Sequence, residues 1–465
     1  ASQTGPASTA LSITIDTTTP AVPVVTAISD DTGASNTDLL TSDTTLIISG
    51  TAPANESVQV FRNSAQIGTT TVNVSGAWSF DYTGTTLASG THTFTAKAID
   101  LAGNTSAESS TLLVEIDTAT PNAPIITGIS SDTGASATDG ITSDNTLSLT
   151  GTADPNTAIT VSRSGVGVIG TTTSNGSGAW NFNYTGTTLA DGAYLFTAFA
   201  TDTAGNASTV SADFPVTVDT TAPSITTQPG GGTYVIGDNF NLTITATDAT
   251  TLSYQWSLGG STLSNSANRS GVTTATLAHT NISLTGFNGS YTVLITDLAG
   301  NTRTSNIATV VVNKITATVS LAGLSQTYDG SAKSVTVTTT PSGLTAALTY
   351  DGSATAPTNA GSYTVVGTID EPTYQGTATG TLVIAKANQT ITFPTPSPVT
   401  VSTPVSLNAT ASSGLGVTYS VVSGNATVSR ASFTANDANP IMLRATQTGN
   451  ANFNPATQDI VVSNI

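Results

Sequence analysis

The sequence predicts an all-β protein built from sandwich domains in tandem, and three observations support this. Thr, Ser, Gly, Ala and Val dominate the 465 residues and only 8% are charged, a composition that favours strands and turns over helices. Apolar and polar residues alternate, as in T-F-T-A-K-A-I at 93–99, which is typical of half-buried strands. A unit of about 100 residues occurs twice, which indicates whole domains in series rather than the short turns of a solenoid.

The two copies, domain 1 (17–117) and domain 2 (118–219), share their motifs in the same order. Each contains D-T-G-A-S near its start, G-A-W near its middle and A-x-D-x-A-G-N before its last strand. Each also has about seven strand candidates separated by Gly, Asn or Asp, the number expected of an immunoglobulin-like sandwich. We expect the tryptophan of G-A-W to lie in the core, because the aromatic residues that follow it alternate along one face.

The remaining domains diverge from this pattern. Domain 3 (220–314) keeps D-L-A-G-N and carries Trp256 on a strand expected to fill its core. Domain 4 (315–387) and domain 5 (388–465) read as short alternating strands with glycine turns. Residues 1–16 align with the end of domain 1, so we expect them to form the last strand of a preceding repeat, or a strand donated to another subunit.

Composition limits the classes of function. The chain has no cysteine, only two histidines and a net charge of −18, so thiolate or imidazole metal sites and nucleic-acid binding are disfavoured. No apolar run is long enough for a membrane span. Paired carboxylates occur, but nothing indicates the cleft that glycoside hydrolysis needs, so we do not expect an enzyme. The expected partners are neighbouring repeats, other copies of the chain, or a host or surface glycan.

Acidic residues are concentrated in the first half, where 19 of the 28 lie within residues 1–220. Because successive loops of a sandwich lie at opposite ends, the first loop of one domain, the linker and two loops of the next domain should converge on each junction. Oxygen ligands from several loops suit Ca²⁺, so the sequence predicts structural calcium at the junctions. The ligands predicted between domains 1 and 2 are Asp31, Asp38, Asp43, Asp117, Asp154, Asp202 and Asn206.

The same pattern predicts a second site and a partial one. The ligands predicted between domains 2 and 3 are Asp132, Asp139, Asp144, Asp219, Asp248, Asp297 and Asn301. The partial site at the start of domain 1 would use Asp16, Asp100 and Asn104. The alternative is local, since Asp and Asn also cap turns by bonding their own backbone. Lysines replace acidic residues in the linkers after domain 3, so we expect those joints to be free of metal.

These motifs resemble known bacterial repeats. Domains 1 and 2, with their D-T-x-T-P linker and A-x-D-x-A-G-N signature, resemble the immunoglobulin-like repeats of giant secreted bacterial adhesins, and domain 3 resembles a divergent member. Domain 4, with Y-D-G at 328–330, is similar to the MBG repeat of bacterial surface proteins, and domain 5 to repeats that follow it. The resemblance implies an extracellular or cell-surface location and calcium at domain junctions. It favours an adhesin stalk over the alternatives, a self-assembling filament subunit or a glycan- or host-binding module for cell adhesion.

Overall fold

The computed structural model describes residues 3 and 5–463, which contain strands and no helix. The described residues therefore include no helix that could cross a membrane. The strands form sheets that never combine residues from two of the five predicted domains. The prediction of an all-β chain of tandem sandwiches is confirmed.

Domains 1 and 2 have the same eight strands. In domain 1 these are β1 (Val24–Ile28), β2 (Leu40–Thr41), β3 (Ile47–Thr51), β4 (Ser57–Arg62), β5 (Ala65–Thr71), β6 (Ala77–Asp81), β7 (Gly90–Ile99) and β8 (Leu112–Ile116). In domain 2 they are β9 (Ile125–Ile129), β10 (Ile141–Thr142), β11 (Ser148–Thr152), β12 (Ala158–Arg163), β13 (Gly167–Thr173), β14 (Ala179–Asn183), β15 (Gly192–Thr201) and β16 (Phe214–Val218).

Two sheets face each other in each of these domains, in the orders β1-β3-β6 and β2-β8-β7-β4-β5 for domain 1. The acidic loop lies between β1 and β2, where the chain leaves one sheet and joins the other as a short strand parallel to β8. The loop is therefore held at the end of the domain from which the linker departs.

The core of each repeat is built around its tryptophan. Trp78 is 3% exposed and Trp180 is 4% exposed, as the alternating pattern predicts. Gly50 on β3 makes room for the Trp78 ring, because a Cβ there would come within 2.6 Å of a ring carbon. Gly151 has the same role beside Trp180.

Domain 3 keeps the sandwich with more, shorter strands. They are β17 (Ser224–Thr227), β18 (Gly232–Val235), β19 (Phe240–Thr243), β20 (Thr245–Thr247), β21 (Ser253–Leu258), β22 (Ser261–Thr262), β23 (Arg269–Ser270), β24 (Thr276–His279), β25 (Gly289–Thr296), β26 (Thr302–Thr304) and β27 (Ala308–Asn313). Trp256 on β21 is completely buried, and its indole N–H donates to the carbonyl of Thr274 at 2.8 Å.

Domains 4 and 5 have smaller cores. Domain 4 has β28 (Ile315–Thr316), β29 (Thr318–Ala322), β30 (Ser325–Thr327), β31 (Thr336–Thr340), β32 (Ala347–Tyr350), β33 (Gly361–Asp370) and β34 (Tyr374–Ala385), and its core is split into two clusters. Domain 5 has β35 (Ile391–Thr392), β36 (Val405–Ser406), β37 (Thr410–Ala411), β38 (Thr418–Ser423), β39 (Ala426–Ser429), β40 (Ser432–Ala435), β41 (Ile441–Gln447) and β42 (Ala456–Val462).

The N-terminal segment, residues 5–16, pairs with no sheet in the described chain. Its apolar residues Leu11, Ile13 and Ile15 alternate and are 85%, 75% and 84% exposed. Part of the predicted strand falls on residues 1, 2 and 4, which lie outside the described residues. That this segment completes a sheet of another repeat or subunit stays a prediction.

Candidate cation site and domain joints

The Ala-Gly-Asn turn, as we call residues 100–104, 202–206 and 297–301, fastens each linker to the domain that follows it. In domain 2 the side-chain amide of Asn206 donates to the carbonyl of linker residue Asp117 at 2.8 Å and to the Asp202 carboxylate at 3.0 Å. Asn104 and Asn301 make the same two contacts, with Asp16 and Asp100 and with Asp219 and Asp297. In this arrangement the asparagine nitrogen, and not the oxygen predicted as a ligand, bridges linker and turn.

The carboxylates of the first loop bond within that loop. Asp31 accepts from the backbone N–H of Leu39, and Asp43 accepts from both the backbone and the hydroxyl of Thr45 at 2.9 Å. The corresponding bonds recur in domain 2. The residues that act in this way are Asp31, Asp38, Asp43, Asp132, Asp139 and Asp144. One buried oxygen on Asp31 and one on Asp132 have no partner.

At the joint between domains 1 and 2 the structure keeps the predicted ligands apart. Asp154 accepts from the backbone and side-chain amides of Asn122 at 2.7 and 3.1 Å. These hydrogen bonds, the backbone one first, lower the pKa of Asp154. Asp117 accepts instead from the backbone N–H of Ala119 at 2.9 Å. The Asp154 carboxylate therefore binds the linker that precedes its own domain and does not join the other predicted ligands.

At the joint between domains 2 and 3 three of the predicted ligands do converge. Asp219, Asp248 and Asp297 each offer a carboxylate oxygen, and these oxygens lie within 4.8 Å of one another. Asp219 and Asp297 are each only 3% exposed. Among the described residues this is the one group of three or more acidic or histidine side chains that is close enough to hold a metal ion.

Asp219 is the central residue of this cluster. It extends the last strand of domain 2, where its N–H donates to the carbonyl of Thr142 at 2.9 Å, whereas Asp248 and Asp297 belong to domain 3. One of its carboxylate oxygens is buried without a hydrogen-bond partner. Burial, and to a lesser degree the neighbouring carboxylates, raises the pKa of Asp219. A buried, unpartnered carboxylate among like charges is costly unless a cation neutralises it.

Two acidic residues near the joints were not among the predicted ligands. Asp191 holds the linker after domain 2 by accepting from Thr220 and Thr221, and it lines a cavity of about 540 Å³ with Asp219 and Asp248. The equivalent residue of domain 1 is Ser89. The change from L-A-S-G to L-A-D-G between the two copies is the sequence feature that could have identified Asp191.

The second such residue, Glu56, lies at the start of domain 1. It has a buried oxygen without a partner, and burial, followed by repulsion from Asp100, raises its pKa. It lines a cavity of about 560 Å³ with Asp16 and Asp100. No sequence pattern marks it, because domain 2 has Thr157 at that position.

Direct contact also joins domains 1, 2 and 3. The hydroxyl of Thr32 donates to the carbonyl of Ala204 at 2.7 Å, and that of Thr133 donates to the carbonyl of Ala299 at 2.6 Å. Gly33, with φ of +100°, presses against the turn so closely that a Cβ would lie 2.1 Å from the carbonyl oxygen of Thr203. The Thr-Gly-Ala loop, as we call residues 32–34 and 133–135, therefore docks on the Ala-Gly-Asn turn of the next domain.

The later joints are built differently. Lys314, in the linker before domain 4, forms an ion pair with Asp370. Between domains 4 and 5, Asn452 accepts from the N–H of Ala360 at 2.8 Å, and Phe453 meets Tyr328 edge-to-face at 5.3 Å. Direct packing thus joins domains 4 and 5.

Family comparisons agree with this architecture. Residues 18–118 and 120–220 match the family of bacterial Ig-like domains. Domains 1 and 2 are bacterial Ig-like domains in tandem. Residues 317–388 match the MBG domain family, which confirms the predicted change of repeat type. A further bacterial Ig-like family, group 3, matches residues 178–279; this match straddles the boundary at which β16 closes one sandwich and β17 opens the next.

The chain is also similar in sequence to part of one curated protein and in fold to several solved structures. Exoglucanase B of Cellulomonas fimi is 33% identical over 323 residues, which cover 65% of this chain and 26% of that protein. The immunoglobulin domains 1–5 of Sidekick-1 are 13% identical and cover 96% of this chain and 97% of their own, with a TM-score of 0.27. The BSP domain of a biofilm associated protein is 22% identical, covers 43% of this chain and 30% of its own, and has a TM-score of 0.17.

Proposed function

We propose that this bacterial Ig-like array is a structural spacer, a stalk segment of an extracellular or cell-surface protein, in which Ca²⁺ stiffens the joint between domains 2 and 3. The observation that carries the proposal is the unpartnered oxygen of Asp219, buried beside Asp248 and Asp297. Three carboxylates from the two sides of one joint repel each other unless a cation lies between them. The arrangement therefore supports a bound cation.

Ca²⁺ fits this donor set better than Mg²⁺. The set is made of carboxylate oxygens, and the cavity that borders it leaves room for water ligands. Ca²⁺ accepts six to eight oxygens in irregular geometry, whereas Mg²⁺ demands a strict octahedron. A cation held by Asp219 on one side and by Asp248 and Asp297 on the other would tie the end of domain 2 to two loops of domain 3.

The spacer role also follows from what the domains share. Domains 1 and 2 repeat one eight-stranded scaffold, and domain 3 keeps the sandwich with more, shorter strands. Such repetition of a scaffold suits a chain that needs length and joints. The relationship to exoglucanase B covers about a quarter of that protein, and we propose that a non-catalytic array of this kind is the part held in common.

Calcium titration of the full chain tests the cation site. We expect a Kd on the order of 10⁻⁴–10⁻³ M, as in other extracellular modules, and a Ca²⁺-dependent rise in the thermal midpoint of domain 3. Asp219→Asn should weaken binding by at least about tenfold, since ligand charge sets affinity. It should also raise the midpoint in chelator, because it removes a buried charge that repels its neighbours.

Asp139→Asn is the matched control, since Asp139 caps its own loop at the same joint without belonging to the cluster. It should bind Ca²⁺ like the unaltered chain. Equal Ca²⁺ affinity of the Asp219→Asn variant and the unaltered chain would show that the cluster is not the site.

A second candidate function, strand donation in a filament, is favoured by the three exposed apolar residues of residues 5–16. The equivalent residues of β8 fill the core of domain 1, where Val114 and Ile116 are buried. Sedimentation of the chain with and without residues 1–15 distinguishes the two roles. A filament subunit would assemble only with the segment present, whereas a spacer would remain monomeric in both forms.

A further inference from the structure

The Ala-Gly-Asn turn of domain 1 is formed like the other two, but within residues 5–463 no other domain contacts it. Its Asp100 carboxylate accepts from the N–H groups of Ala102 and Asn104 at 2.9 Å, and Asn104 ties it to Asp16. The backbone is therefore already in the shape that meets a Thr-Gly-Ala loop in the two formed joints.

Burial shows what this turn lacks. Ala204 and Ala299 are fully buried in the two formed joints, whereas their equivalent, Ala102, is exposed. Leu101 beside it is 97% exposed. A Cβ at Gly205 or Gly300 would come within 3.0 Å of the preceding domain, but one at Gly103 would meet nothing within 4 Å.

We propose that the turn at residues 100–104 is a docking face for the Thr-Gly-Ala loop of another bacterial Ig-like repeat. The threonine hydroxyl of that loop would donate to the carbonyl of Ala102, and its glycine would lie against the carbonyl of Leu101. The two formed joints make these contacts at the equivalent atoms. The contacts involve no carboxylate, so the docking rests on the spacer function but is independent of calcium.

The partner is restricted by shape and by hydrogen bonding. A residue with a side chain in place of the glycine would collide with the turn, since the corresponding Cβ at Gly134 would lie 1.9 Å from the carbonyl oxygen of Leu298. The hydroxyl donor is needed because the carbonyl of the central alanine becomes buried in the joint, and a buried acceptor without a partner is costly. Domains 3, 4 and 5 lack the D-T-G-A-S motif, so the partner must be a repeat of the type of domains 1 and 2.

An extended chain tests the proposal. Residues 1–3 are replaced by a copy of residues 17–104, so that the existing N-terminal segment takes the position of the last strand of the added repeat. The added copy carries Leu101→Thr, since domain 2 has Thr203 at that position, so that the original Leu101 alone gives the signal. Hydroxyl-radical oxidation of this Leu101 is then compared between the original and extended chains, in Ca²⁺ and in chelator. We expect Leu101 to become severalfold less reactive in both conditions, while Leu113, exposed on β8, keeps its reactivity.

Two further variants keep the test decisive. Thr32→Val in the added copy removes the hydroxyl without enlarging the loop and should restore much of the reactivity of Leu101. A second extended chain carries a copy of residues 118–206 in place of the first copy, in case one added repeat does not fold. If the added repeat is folded and Leu101 remains as reactive as in the original chain, the proposal is wrong, whatever the outcome for calcium. Protection that appears only in Ca²⁺ would also overturn it, because it would assign the contact to the cation.

Discussion

At the scale of single residues, the most unusual group is the imidazole of His279 in domain 3. It is 1% exposed, neither ring nitrogen has a hydrogen-bond partner, and its ring lies 4.6 Å from that of Phe240 and 5.2 Å from that of Phe287. Burial, assisted by the positive charge of Arg269, lowers its pKa to about 4. Tyr291 also faces it and is neutral at acidic pH; burial raises its pKa to about 12.

Domain 3 should therefore be sensitive to acid. The unfolded chain protonates His279 below about pH 6.5, but the folded domain does so only below about 4. The contribution of neutral His279 to the free energy of unfolding of domain 3 is thus fully present above about pH 6.5. It is lost as the pH falls from about 6.5 to about 4, by up to roughly 3 kcal/mol. Thermal unfolding of the full chain against pH should show this loss, and His279→Phe should abolish it. An unchanged pH dependence in that variant would mean that other groups cause the loss.

At the scale of elements, the loop between β41 and β42 explains how domain 5 attaches to domain 4. Ala387 in the linker donates to the carbonyl of Asn452 and accepts from the N–H of Asn454, both at 2.9 Å, in a short parallel bridge. The Lys386 ammonium donates to the carbonyl of Asn450 at 2.7 Å. These contacts hold the linker against the loop of domain 5.

Trypsin cleavage after Lys386 measures the opening of this joint. Phe453→Ala removes the edge-to-face contact with Tyr328, and such an aromatic pair contributes about 0.5–1.5 kcal/mol. When cleavage is limited by the population of the open joint, the rate should rise by up to roughly tenfold. Cleavage after Lys314, in the preceding linker, serves as the internal control and should be unchanged. Asn408→Ala, at an exposed asparagine of domain 5, should have no effect, and equal rates in all three chains would contradict the importance of this contact.

At the scale of the whole molecule, the joints differ in kind along the chain. Domains 1 to 3 are joined by the Thr-Gly-Ala loop and the Ala-Gly-Asn turn, with clustered carboxylates only between domains 2 and 3 among the described residues. Domains 4 and 5 are joined by main-chain and aromatic contacts. Five sandwiches of about 40 Å each, from strands of about ten residues, would extend on the order of 200 Å if these joints are straight.

Small-angle scattering of the full chain with and without chelator tests the calcium hinge. Removal of Ca²⁺ should change the maximum dimension and broaden the distance distribution, because repulsion among Asp219, Asp248 and Asp297 then opens one joint. The Asp219→Asn variant should show no response to chelator. An unchanged scattering profile of the unaltered chain on chelation would exclude a calcium-stiffened joint.

The architecture could be predicted from the sequence, because strand alternation and the repeat are visible in the order of residues without knowledge of tertiary contacts. Alternation placed Trp78 and Trp180 in cores, and Trp256 was placed there by its position on a strand expected to fill the core of domain 3. The structure shows all three buried. Successive loops of a sandwich lie at opposite ends, and this rule correctly predicted that the first loop of one repeat meets the Ala-Gly-Asn turn of the next. Whether calcium occupies these joints stays a prediction.

The sequence by itself determined the fold class and the residue types present at each joint. Only the tertiary structure decided which of those residues meet. Asp154 and Asp248 occupy similar loops, yet Asp154 accepts from Asn122 while Asp248 joins a cluster. The physical reason is that a carboxylate forms hydrogen bonds with whichever N–H groups or charges the linker brings within about 3 Å, and that distance depends on the paths of two chain segments far apart in sequence.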